Sequence, residues 1–224
     1  MSASGDAIKI RSREGGGFAC YLAMPRTDTQ VPAVVLASTV RGVDADLRAI
    51  ADEFAANGFI AAAPDLFWRS TPPSPSRVEQ IRSGEGDMAD ALAHLGAVGA
   101  FNGRAAVMGF CYGGPYAILG PKRLGYAAGI SCHGTQMLDY IHELDGVEDP
   151  VCVIWGDRDH LAPAEVLDAY RDIPARMKNV EVHIFPGVFH GYMMSRNPKA
   201  FDQVTRDFSM ERALAILRRL VIQT

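Results

Sequence analysis

A cysteine set between glycines at position 111, acids at 157 and 159, and a histidine at 190 are the residues whose types and order could together break an acyl bond. Gly109-Phe110-Cys111-Tyr112-Gly113-Gly114 follows an apolar run and has the glycine-x-nucleophile-x-glycine spacing of a sharp strand-to-helix turn. Such a turn crowds the backbone around it, so glycines must flank the central residue, whose side chain is pushed out in a strained conformation. A thiol at the head of a helix ionises more readily, because the exposed N–H groups there stabilise the thiolate. The N–H of Tyr112 would then meet a developing oxyanion. Downstream, Trp155-Gly156-Asp157-Arg158-Asp159-His160-Leu161-Ala162-Pro163 places acids just after one apolar run, and Phe189-His190-Gly191-Tyr192 places a histidine after another. Each has a plainer use: Asp157 or Asp159 could cap a helix opening near Pro163, and Cys111 could be a buried thiol.

The elements that must hold these residues alternate between strand-length apolar runs and stretches of helical period, the pattern that builds parallel α/β sheets. Val31–Ser38 reads as a buried strand. Leu47, Ile50, Ala51 and Phe54 then fall on one helical face, which Asn57-Gly58 ends. Strands follow at Phe59–Ala63, Arg104–Gly109, Tyr126–Ser131, Val151–Trp155 and Val180–Phe185, and Phe18–Met24 is expected as an added edge strand. A Pro/Ser-rich stretch, Ser70–Ser76, leads into a long helical segment interrupted by glycines that ends near Val98. The last helix is expected to open at Asn197-Pro198 and to turn Ala213, Leu214, Leu217 and Val221 inward. The composition shows no internal repeat or linker, so residues 1–224 read as one α/β domain. His94 falls on a helix and His183 within a strand. His133 is expected to line the same cleft as Cys111, although adjacent strand residues point to opposite faces, which makes Cys132 and His133 a poor nucleophile–base pair.

Composition excludes several other classes. Lys+Arg 22 against Asp+Glu 26 gives a net charge of −4 without blocks of like charge, so the footprint of a nucleic-acid binder is missing. No apolar run reaches the ~20 residues needed to span a bilayer, and the start of the chain lacks a basic and apolar leader, so the expected address is cytoplasmic. The four cysteines lack paired Cys/His spacing, which points to free thiols and to no metal.

With nucleophile, acid and histidine in that order, the chain resembles the dienelactone hydrolase family (carboxymethylenebutenolidases), cysteine-dependent members of the α/β-hydrolase fold. The resemblance rests on Gly-Phe-Cys-Tyr-Gly-Gly, Ala63-Pro64-Asp65-Leu66-Phe67, Gly156-x-x-Asp159 followed by Pro163, and Phe189-His190-Gly191. It implies a mostly parallel sheet with helices on both faces and a triad of Cys111, Asp159 and His190. The oxyanion would be held by the N–H groups of Tyr112 and Val40. It further implies that Arg69 holds a substrate carboxylate. The place of a second family arginine is taken by Met194, with Arg196 two residues later as contact or surface charge. Where the family carries a glutamate on the resting cysteine, this chain has Thr39. Arg41 is then either a second carboxylate anchor or an exposed loop charge. The activity implied is hydrolysis of small carboxylate-bearing lactones or esters, such as dienelactone to maleylacetate, by a monomer or small homo-oligomer using no cofactor. The alternatives are an esterase or thioesterase for another small ester, and a redox-sensing protein in which Cys111 is oxidised without turnover.

Overall fold

A computed structural model of the chain describes residues 5–69, 77–162 and 164–221. The Ser70–Ser76 stretch and Pro163 lie outside the described residues. The eight strands are β1 (Asp6–Arg11), β2 (Gly17–Ala23), β3 (Val31–Ala37), β4 (Ile60–Pro64), β5 (Phe101–Phe110), β6 (Ala128–Cys132), β7 (Val151–Gly156) and β8 (Val180–Phe185). They form one sheet in the order β1-β2-β4-β3-β5-β6-β7-β8, parallel from β4 onward, with β1 and β2 antiparallel at one side. Phe18–Met24 was expected at the edge. It is the second strand, because Asp6–Arg11 pairs outside it with Ile8 opposite Cys20. β1 escapes a sequence reading because its mostly exposed, charge-interrupted pattern resembles a loop.

Successive side chains on a strand face opposite ways, so each central strand feeds two cores. On one face Ala33, Val35, Ala105 and Val107 pack under α2 (Arg77–Leu95), the short helix α3 (Tyr116–Leu119) and α4 (Ala164–Arg176). On the other, Val34, Leu36, Ala106 and Met108 pack under α1 (Ala45–Ala56) and α5 (Gln203–Arg219). Helix α1 begins where Asp44 Oδ1 accepts the N–H of Leu47 at 3.0 Å, and it buries Leu47, Ile50 and Phe54, each worth ~1.5–3 kcal/mol. Helix α2 tolerates its interior Gly84 because a Cβ there would sit 2.0 Å from the Tyr116 hydroxyl, which donates to the Ile81 carbonyl. The last helix opens later than Asn197-Pro198: Asn197 closes a turn with Ala200 and Phe201, and Asp202 caps α5 through the N–H of Thr205. Ala213, Leu214 and Leu217 are buried, but Val221 is 45% exposed beyond the helix end. No helix among the described residues is long and apolar enough to cross a membrane.

The strand order sets the position of the site. The chain runs outward from β3 to β4 and then crosses back to β5 on the other side of β3. The loops leaving the C-terminal ends of β3 and β5 therefore diverge, and a crevice opens between them. Thr39–Arg41 leave β3 there, and Cys111 leaves β5.

Candidate active site

Cys111 sits one residue past β5, at the start of a single tight helical turn (Cys111–Gly113), with φ +50°. A non-glycine residue in this left-handed region is strained, and the neighbours hold it there. The Gly113 N–H donates to the Ser38 carbonyl at 3.0 Å, and the N–H groups of Gly114 and Thr135 both reach the Cys111 carbonyl, at 3.1 and 2.9 Å. A Cβ on Gly109 would lie 2.0 Å from the Gly113 carbonyl oxygen, so the elbow closes only with glycine at that place. The helix beyond it is irregular: four α-helical residues are followed by a wide turn over Gly120–Leu124. Much of the polarisation expected from a regular helix is therefore replaced by local groups.

His190 follows β8, and Asp159 follows β7. His190 Nδ1 lies 2.7 Å from Asp159 Oδ2, while Asp159 Oδ1 accepts the Leu161 N–H at 2.9 Å. Asp157, the other acid considered, accepts the Gly187 N–H instead. Burial pushes the Cys111 thiol up, but a hydrogen bond and charge from His190, the Tyr112 N–H and the Arg77 guanidinium together bring it below its ordinary value. For His190, burial works against protonation, yet Asp159 and Cys111 raise the imidazole to about 9. Both shifts favour a thiolate–imidazolium pair. His133 is fully buried at φ +41°, edge-on to His190 with ring centroids 4.9 Å apart. Neither ring nitrogen has a hydrogen-bond partner among the described residues, and burial followed by the His190 charge keeps the ring neutral.

A cavity of about 190 Å³ opens over these groups, walled by Thr39, Val40, Arg41, Cys111, His133 and His190, with Leu161, Gly191, Met194 and Asn197 completing it. Thr39 is turned into its own loop, its hydroxyl accepting the Arg41 N–H at 3.1 Å. Val40 is 66% exposed and lines the cavity. Arg41 also lines a neighbouring cavity of about 330 Å³, and its guanidinium has no hydrogen-bond or ion-pair partner among the described residues. Arg69 is placed elsewhere. Its guanidinium bonds the buried Asp87 at 2.6 Å, Ser12 at 2.9 Å and Glu14 at 3.2 Å, and it does not line this cavity. Arg196 is exposed, with its backbone N–H on Asp46. Sequence reasoning missed the site roles of Leu161, Asn197 and Arg77: the first two stand in stretches read for Asp159 and for a helix start, and Arg77 belongs to no local motif. Among the described residues, Cys152, Glu181 and His183 alone bring metal-type ligand atoms within 4.8 Å of one another. They lie on β7 and β8 outside the cavity, and Arg212 already occupies both Glu181 oxygens at 2.6 Å.

A parallel sheet with a strained residue after one strand, and an acid and histidine meeting it from the ends of two later strands, is the architecture of an α/β hydrolase. Comparison with known proteins narrows the class. The chain belongs to the dienelactone hydrolase family, whose profile matches residues 18–221. It is 30% identical to carboxymethylenebutenolidase 1 of Cupriavidus pinatubonensis over 96% of this chain and 97% of that one. With a putative carboxymethylenebutenolidase of Azospirillum brasilense it shares 26% identity over 83% of this chain and 86% of the other. In fold it is similar to a putative dienelactone hydrolase from Klebsiella pneumoniae, with TM-score 0.80, 18% identity and coverage of 98% of this chain and 100% of that one. A dienelactone hydrolase-like promiscuous phosphotriesterase from metagenomic libraries gives TM-score 0.79 at 20% identity, covering 97% and 99%. The protein is accordingly a hydrolase acting on lactones or esters.

Proposed function

We propose that this hydrolase opens small lactones or esters bearing a carboxylate, with dienelactone as the type of substrate, through a Cys111–His190–Asp159 triad. The observation that carries the reading is the strained Cys111 in one cavity with a His190 that is paired to Asp159 at 2.7 Å. The Cys111 thiolate attacks the carbonyl carbon, and the Tyr112 and Val40 N–H groups receive the oxyanion. As the tetrahedral intermediate collapses, the C–O bond breaks and the leaving alkoxide takes the proton of the His190 imidazolium, leaving a thioester on Cys111. His190, again neutral, removes a proton from water that attacks the thioester. The acid departs and the thiolate returns. Asp159 holds the imidazole in orientation throughout.

Arg41 supports the choice of an acidic substrate, because it is a cation on the cavity wall with no ion-pair partner among the described residues. Arg69, engaged with Asp87, is the weaker anchor. The test is loss of dienelactone absorbance beside hydrolysis of a neutral p-nitrophenyl ester. Arg41→Ala should raise KM about tenfold for the lactone, the worth of one hydrogen bond to a charged group, and leave the neutral ester unchanged. Turnover of the neutral ester alone would move the protein to another ester class.

The pH dependence has a defined sign. For an alkyl ester, kcat/KM should rise with pH as the Cys111 thiol ionises and fall again near 9 as His190 loses the proton needed by the leaving alkoxide. Asp159 is the foremost group raising His190 against the effect of burial, so Asp159→Asn should move the alkaline limb to lower pH. A limb that stays in place in this variant would remove His190 from the role of acid.

A further inference from the structure

Arg77, the first residue of α2, reaches the elbow without lining the cavity described above. Its guanidinium carbon stands 3.8 Å over the Tyr112 ring, and Nη2 donates to the Tyr112 carbonyl at 2.8 Å and to Thr135 Oγ1 at 2.9 Å. The Thr135 N–H in turn donates to the Cys111 carbonyl at 2.9 Å. The carbonyls of both Cys111 and Tyr112 are thus held from outside the turn, one by Arg77 directly and the other through the residue that Arg77 also grips. The guanidinium is partly buried, its Nε is buried without a partner, and no carboxylate among the described residues pairs with it. Arg13, Arg69, Arg123, Arg206 and Arg212 each have such a partner. A guanidinium taken partly out of water with no carboxylate beside it favours an anion nearby, so the site suits one present in the working enzyme.

We propose that Arg77 is a positioning residue of the elbow whose counter-anion is the thiolate of Cys111. It fixes the Tyr112 and Cys111 carbonyls so that the turn stays strained, and its charge stabilises the ionised nucleophile. The proposal rests on the reading of Cys111 as the nucleophile. The other titratable or charged groups around the thiol are His190, with Asp159 paired to it, the neutral His133, and Arg41 on the cavity wall. Around the guanidinium itself stand the Tyr112, Tyr116 and Tyr140 phenols, all pushed upward by burial and so uncharged at neutral pH. The thiolate is therefore the anion left for Arg77.

The test is the pH dependence of Cys111 alkylation by iodoacetamide, with Cys111→Ala as the blank. Cys20, Cys132 and Cys152 are buried and their thiols pushed up, so they stay silent. Arg77→Gln, which keeps a donor and loses the charge, should raise the apparent thiol pKa by about one unit and slow alkylation at neutral pH about tenfold. Arg77→Lys, which keeps the charge and loses the planar fork, should titrate like the parent but lose kcat. A parental titration in Arg77→Gln overturns the proposal. Should that variant fail to fold, Arg77→Lys decides: parental kcat, or a loss confined to KM for carboxylate substrates, overturns it. Hydrolysis that survives in Cys111→Ala would instead end the nucleophile reading, whatever Arg77 does to the thiol.

Discussion

Cys111→Ala is expected to lower kcat by ~10⁴-fold or more on any ester the protein turns over, while KM and the melting temperature change little. Removing the nucleophile of a triad eliminates the covalent route outright, and what remains is the modest catalysis of an oxyanion pocket acting on water. Binding should persist because the cavity wall is supplied mostly by other residues, Val40, Arg41, Leu161 and Met194 among them. Folding should persist because alanine is smaller than cysteine and leaves a vacancy of one sulfur at the rim of the core. Alanine also tolerates the positive φ about as well as cysteine does. Single-turnover kinetics with a chromogenic ester, read beside mass spectrometry for the acylated protein, check the result. The parent should carry an acyl group on Cys111 and the variant none. A variant with a tenth of parental kcat would show that another group attacks the carbonyl, and neutral His133 would then be the next residue to replace.

How much of this was legible beforehand follows from where each signal resides. The central strands were readable because parallel strands buried on both faces give unbroken apolar runs, as in Val31–Ala37 and Val151–Gly156. The elbow was readable because close backbone approach demands glycine at fixed offsets from Cys111. The pairing of His190 with Asp159 rather than Asp157 came from resemblance alone. Spacing could not separate two acids in one loop, and the structure distinguishes them by sending Asp157 to the Gly187 N–H. What stayed hidden was tertiary. The resemblance assigns Arg69 to a substrate carboxylate, yet the buried Asp87 of α2 and Ser12 draw its guanidinium away. Arg77 carries no local pattern, and its place under Tyr112 depends on where α2 docks on the sheet. Asp202 displaced Asn197 as the helix cap because residues 197–201 form their own turn, a choice between two good capping residues that propensity does not decide.

Gly113→Ala is expected to be among the most destabilising single substitutions in the chain, and to act on the fold and on the site at once. A Cβ at this position would fall 2.2 Å from the Ala37 carbonyl oxygen and 2.7 Å from the Ala37 side chain. Ala37 is the last residue of β3, paired with Gly109 of β5 in the middle of the sheet, so it cannot give way as the end of a flexible side chain would. The relief must come from the elbow, which would lift from β3 and break the Gly113 N–H bond to the Ser38 carbonyl. Overpacking against fixed backbone, with loss of that bond, should cost about 3 kcal/mol, a fall of roughly 6–12 °C in melting temperature for a chain of this size. Thermal unfolding followed by circular dichroism measures it. The same displacement moves the Cys111 thiol and the Tyr112 N–H together, so whatever folded protein remains should lose kcat far more than it loses affinity. A Gly113→Ala protein with parental melting and parental kcat would mean that the elbow has slack, and the strain at Cys111 would then have no part in presenting the nucleophile.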